Sequence, residues 1–259
     1  MLACATMREL DSAETSLLWF GRLLFAFSVV ASGIYQLVTG RYVNLVPINP
    51  THVQAWQAYI LGVLLVLIGI GLLIRKTVTA AAITLAALLL VLFFGFSLRV
   101  ALPLASMGYV WVDPLMILAI LGGVGLAAVR HDGSPLDRVF NAFARFAPWA
   151  LGAFLAYCGT LHFPYAKYVA GLIPSWIPGH MFWTYFAAIA LIAGGIGLLI
   201  PQTARLAAIL SGIMLFSWVF LVHIPLAIST HTVSEVSRGF QAMQDSAVAF
   251  MLAGIARRK

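Results

Sequence analysis

Eight stretches of the chain are apolar over lengths near that needed to cross about 30 Å of hydrocarbon. They fall roughly at 17–38, 54–74, 78–102, 112–129, 147–163, 180–200, 204–226 and 240–256. Runs of this length, separated by short segments that hold the charges and most prolines, predict helices and not strands. Among the connectors, only 130–146 (RHDGSPLDRVFNAFARF) is strongly polar, and it divides the eight runs into two sets of four.

The two sets repeat one another. Gly33 and Leu37, followed by Gly69-Ile70-Gly71-Leu72-Leu73-Ile74, return as Gly159 and Phe163, followed by Gly195-Ile196-Gly197-Leu198-Leu199-Ile200, an offset of 126 residues for the glycines. Between these landmarks each set has a proline-bracketed loop followed by a histidine. Pro47 to Pro50 precedes His52, and Pro174 to Pro178 precedes His180. That period is too long for a solenoid and matches a four-helix unit. The expected fold class is therefore an all-α integral membrane protein with eight transmembrane helices. They form two parallel-repeat four-helix bundles: a first unit over 1–130, a polar linker over 131–146 and a second unit over 147–259. An even number of spans per unit inserts both in the same sense.

Composition agrees with the pattern. Hydrophobic residues make up 63% of the chain and charged residues 9%, too little polar surface to cover a water-soluble domain of this size. The net charge of +7 comes from dispersed loop residues and not from a basic stripe, which excludes nucleic acid as a partner and leaves the lipid bilayer. Eleven Lys and Arg residues fall on the side of the termini and of the loops after the second, fourth and sixth spans, against four (Arg41, Arg99, Lys167 and Arg238) on the other. That bias predicts cytoplasmic N- and C-termini. The first run is too long for a signal peptide and follows Glu9, Asp11 and Glu14, so it is read as a retained helix. Cys4 and Cys158 are the only cysteines and make no C-x-x-C, which argues against a relay through the chain's own disulfide.

Polar groups inside a bilayer are costly and usually have a partner or a task. Six stand out near the outward ends of their runs: Gln36, Arg99 and Asp113 in the first unit, and His162, His223 and Asp245 in the second. The expectation is that each trio converges at one depth. Functionally, His162, His223 and Asp245 would bind a metal, relay protons or hydrogen-bond the head of a quinone. Structurally, Arg99–Asp113 and His223–Asp245 would be buried pairs that pin helices. Asp113-Pro114 also reads as a helix N-cap followed by a first-turn proline. Thr232-Val233-Ser234-Glu235 reads as a capping box, starting its helix well before Asp245.

Five of six histidines lie on the outward side, yet no H-x-x-x-H or E-x-x-H spacing occurs, so no metal site is assigned. A haem would have only His162 and His223 as an axial pair. Segment 164–179, with Trp176 and the following His180, reads either as part of an interfacial aromatic belt or as a proline-stiffened lid over the His–His–Asp site. The glycines of GIGLLI and of Gly122-Gly123-x-Gly125 are expected to permit close helix packing.

Two segments carry a family likeness. Gly21-Arg22-Leu23-Leu24 leading to Ser32-Gly33-Ile34-Tyr35-Gln36-Leu37 is one. The other runs from Gly159-Thr160-Leu161-His162-Phe163 through Ile173-Pro174-Ser175-Trp176-Ile177-Pro178 to Gly194-Gly195-Ile196-Gly197-Leu198-Leu199-Ile200-Pro201-Gln202-Thr203-Ala204-Arg205. Together they resemble the DoxX-like family of four-helix membrane proteins, here as a tandem of two units. This chain departs from the family pattern in having two units, in Gln36 where a histidine is usual, and in Arg75-Lys76 at the place of Pro201-Gln202. The resemblance implies a bacterial inner-membrane protein. Some relatives are the membrane subunit of a thiosulfate:quinone oxidoreductase, and others are linked to oxidative-stress or cofactor-maturation systems.

The leading functional expectation is a redox-associated membrane subunit, working with a redox partner protein and compatible with a homo-oligomer. It would engage a quinone or similar small electron carrier at His162, His223 and Asp245. Gln36, Arg99, Asp113, Trp176 and His180 are further ligand-binding candidates. A small-solute transporter or channel along the interface of the units, and a scaffold or assembly factor without chemistry, are the other two classes.

Overall fold

The computed structural model describes residues 2–43, 54–129 and 134–256, with side chains from residue 16 onward. The Pro47–Pro50 loop, His52, His131 and the last three basic residues lie outside the described residues. Among the described residues the structure is all-helical, without strands. Its helices are α1 (Leu2–Thr39), α2 (Ala55–Leu73), α3 (Val78–Ala101), α4 (Val112–Ala128), α5 (Pro135–Leu161), α6 (Ala166–Leu172), α7 (His180–Leu199), α8 (Ala204–Thr230) and α9 (Val233–Ile255). Seven of them are long and apolar enough to cross a membrane: α1 from Ser16, α2, α3, α4 with its 3₁₀ lead-in from Gly108, α5, α7 and α8.

The eighth predicted run is also a helix, but of another kind. α9 carries Glu235, Arg238, Gln241, Gln244 and Asp245, and from Gln241 to Gly254 every residue is buried. Hydrocarbon cannot satisfy such side chains, so this helix is enclosed by protein. The flanking helices turn Phe27, Leu67, Phe94, Trp149, Ile189 and Leu206 outward instead.

Helix contacts run around a ring, α1–α2–α3–α4–α5–α7–α8–α9 and back to α1, with α4 and α9 also touching across the middle. α1 therefore leans on α9, and α5 leans on α4. The first long helix of each half rests on the last helix of the other, so the expected four-helix bundles interlock and neither half encloses its core alone.

Glycine sets the close approaches. A Cβ on Gly33 would lie 2.6 Å from the Gly62 carbonyl oxygen, and one on Gly159 would lie 2.7 Å from that of Ala188. A Cβ on Gly122 would lie 2.6 Å from Ala147 Cα. These are backbone contacts that no side chain can relax, as the small-residue pattern leads one to expect. Other local details recur at the same offset of 126. Thr77 Oγ1 donates to the Gly71 carbonyl at 3.0 Å and Thr203 Oγ1 to that of Gly197 at 2.9 Å. One π-helical turn interrupts α3 at Phe93–Ser97 and another interrupts α8 at Val219–His223.

Three local expectations are corrected. Within the polar connector, the described residues from Pro135 onward are helix. Ser134 caps α5 by accepting from the Asp137 amide at 3.1 Å, Pro135 follows at the first turn, and the helix continues through Pro148. Its early polarity is that of an amphipathic helix. Asp113 is not an N-cap: Trp111 holds that place and Asp113 sits in the first turn of α4. The capping box at Thr232 does not form, because Thr232 makes no side-chain cap bond and Glu235 is engaged elsewhere.

Packing on glycine predicts a graded mutational response. Gly33→Val and Gly122→Val should each lower stability by about 1–3 kcal/mol through overpacking. Gly95→Ala, where an added Cβ meets nothing within 4 Å, should leave it unchanged. Thermal unfolding of the purified variants in detergent measures the difference.

Candidate functional site

The π-turn in α8 is the local device that builds the site. A π-turn inserts one extra residue and re-aims the side chains around it. Here its last residue, His223, is directed at α9, where Gly239 makes room: a Cβ on that glycine would lie 3.4 Å from His223 Cβ. One turn before Gly239 on the same face of α9 is Glu235. His223 Nδ1 lies 3.9 Å from Glu235 Oε2, a charge contact too long for a hydrogen bond. Both atoms are buried, and neither has a hydrogen-bond partner among the described residues.

The other carboxylate oxygen of Glu235 is firmly held. Arg238, one turn along α9, donates from Nη1 to Glu235 Oε1 at 2.6 Å. Its Nη2 donates to the Tyr168 hydroxyl at 3.5 Å, which ties α6 to α9. Glu235 is thus anchored through one oxygen while the other faces His223.

This pair opens onto a groove of about 590 Å³ lined by α1, α8 and α9. Its walls include Tyr35, Ile228, Phe240 and Met243, with Arg41 and His231 also on the lining. Tyr35 and Phe240 meet edge to face, their centroids 6.4 Å apart. The volume is that of a small-molecule site, apolar with a few convergent polar groups.

Neither expected trio is joined by a hydrogen bond or ion pair among the described residues. His223 takes Glu235 as its acid in place of Asp245, which lies ten residues further along α9, about 15 Å at the helical rise. His162 is the C-cap of α5, and its Nδ1–H donates to the Cys158 carbonyl at 2.7 Å, so the ring is bound to its own helix. In the first half Arg99 is exposed and makes no ion pair with Asp113 among the described residues. The basic group within electrostatic reach of Asp113 is Arg238, from the other half. Gln36 is fully buried with both amide atoms unpartnered among the described residues, and Ser97 Oγ, on the last residue of the α3 π-turn, is likewise unpartnered. Trp176 is 63% exposed, and neither it nor His180 lines the groove. The segment reaches the site through Tyr168 alone among the described contacts.

Sequence reasoning missed Glu235, Arg238 and Tyr35. Glu235 was absorbed by the capping pattern and Arg238 by the charge bias of the loops. The available signal was their i, i+3 spacing on a helix that also carries Asp245.

Residues 151–251 match a family model described as a domain of unknown function (DUF8561). That span contains His162, His223, Glu235, Arg238 and Asp245, while Tyr35 and Arg41 fall outside it. No curated protein and no solved structure matches the chain.

Burial lowers the pKa of His162 from the ordinary 6.5, against the opposing pull of the Cys158 carbonyl. Above 6.5 the ring is neutral in both folded and unfolded chains. Below it the unfolded chain takes up the proton first, so stability falls as the pH drops through 6.5. Melting temperature followed against pH should decline in that window, and His162→Gln should flatten the decline.

Proposed function

We propose that the chain is a tandem DoxX-like protein of a bacterial inner membrane. Its outward-facing groove binds the head of a quinone or similar small electron carrier and serves a redox partner protein. In this reading eight helices span, α9 being the shielded eighth, and both units insert in the same sense with cytoplasmic termini. What supports duplication is the recurrence, 126 residues apart, of the glycine contacts, the threonine bonds and the π-turns. What supports the orientation is the distribution of Lys and Arg between the two sides.

The observation that carries the binding proposal is the unsatisfied His223–Glu235 pair facing an apolar groove. A quinone head is a flat apolar ring with keto oxygens that need donors, and its reduction consumes protons. A ring N–H of His223 donates to a keto oxygen. Glu235, anchored by Arg238 through one oxygen, presents the other to the imidazole at 3.9 Å. Phe240, Tyr35 and Met243 supply flat and polarizable surface for the ring. The expected contributions of His162 and Asp245 to this site give way to Glu235 and Tyr35.

A short-chain quinone analogue titrated against the full chain in lipid nanodiscs, followed by quenching of intrinsic fluorescence, tests the proposal. Saturable binding should weaken at least about ten-fold in His223→Ala and in Glu235→Gln, the loss of one hydrogen bond to a charged group being worth roughly 1.5–3 kcal/mol. Arg99→Gln should bind as the parent does. No saturable binding by the parent, or undiminished binding by both groove variants, sinks it.

A further inference from the structure

α9 carries a second polar set that the groove does not use. Asp245 is 3% exposed and Gln244 1% exposed. Both amide atoms of Gln244 and Oδ1 of Asp245 have no hydrogen-bond partner among the described residues. Neighbouring polar groups on the helix are engaged: Ser246 donates to the Gly212 carbonyl at 2.8 Å and Ser237 to that of Val233 at 2.9 Å. Buried polar atoms are almost always satisfied by protein or by water. A carboxylate buried without a cation is costlier still.

Among the described residues the surroundings offer Asp245 no ion-pair partner. The approaches of Gly21 to Met251 and of Gly254 to Leu18 set α1 antiparallel to α9 and bring Ser28 level with Gln244, near the middle of the first candidate span. Ser28 is fully buried and donates to the Phe25 carbonyl at 2.7 Å, which leaves its oxygen able to accept. From α1, Arg22 is turned to the Leu126 carbonyl at 3.2 Å. From α5, Cys158 lies within electrostatic reach of both Asp245 and Asp113, the latter on α4. From α8 the titratable group is His223, held at the level of Glu235 and Gly239. Asp245 forms no ion pair with any described residue.

We propose that Asp245 and Gln244 form an internal site for water and one exchangeable proton. Asp245 carries the proton on its carboxyl group. A water held by the Gln244 amide accepts that proton on its oxygen and returns it, with no change in electron count. Ser237, Gln241 and Gln244 follow one another at spacings of four and three along one face of α9, a polar line toward the outer end of the helix. The site stands whether or not the groove binds a quinone.

Infrared spectra of the full chain in lipid, recorded in water and in heavy water, test this directly. The parent should show a protonated-carboxyl C=O band that moves to lower frequency in heavy water. The band should vanish in Asp245→Asn and persist in Asp113→Asn and Glu235→Gln. Gln244→Leu should slow its exchange at least ten-fold. Where Asp245→Asn does not fold, Asp245→Glu should displace the band, and the other two variants assign it by elimination. A parent without the band, a band that never shifts in heavy water, a band lost with Asp113 or Glu235, or exchange indifferent to Gln244→Leu would each overturn the proposal.

Discussion

A helix too polar for hydrocarbon has to be surrounded, and the architecture follows from that constraint. α9 holds two acids, a guanidinium and two glutamines within 11 consecutive positions, Glu235 to Asp245. Backbone and side-chain polar groups in lipid must be met within the protein. α1, α4 and α8 pack around α9 and leave to α2, α3, α5 and α7 most of the outer wall. Since α1 comes from one half and α8 from the other, the same requirement joins the two halves into one body.

Close packing around a polar core depends on missing side chains. Glycines at 21, 123 and 254 let α1, α4 and α9 approach until a Cβ would strike a neighbour's atoms. Without a hydrophobic drive between helices in lipid, such van der Waals contact is a principal source of association. The two π-turns perform the complementary task. Each breaks the regular ladder of a long apolar helix and directs one polar residue, Ser97 or His223, inward. The first of these has no hydrogen-bond partner among the described residues, and the second faces Glu235.

Much of the fold was legible along the chain. The apolar runs anticipate α2, α3, α7 and α8 to within a few residues at most ends, because the run length needed to cross a bilayer is a property of sequence. The small-residue positions were equally readable: Gly69, Gly122, Gly125 and Gly195 all sit at close contacts. Boundaries that depend on local competition were not. The helical start at Pro135 looked like a linker because amphipathic turns at a membrane surface share a linker's composition. Asp113 looked like a cap, although an extra 3₁₀ turn from Gly108 moves the start of α4 ahead of it.

The site was legible only in its residue types. Sequence placed His223 inside an apolar helix and acids on the helix that follows, and the cost of burying such groups made them conspicuous. It did not choose between Glu235 and Asp245, because that choice turns on a π-turn that rotates His223 toward Gly239. Nor did it separate Asp113 from Arg99 and bring it within reach of Arg238 across the two halves. Hydropathy and glycine spacing, which act residue by residue, determined that the chain is a set of closely packed apolar helices. Which ionisable groups meet was decided by helix rotation and by the interlocking of the halves, and those exist only once the whole ring has closed.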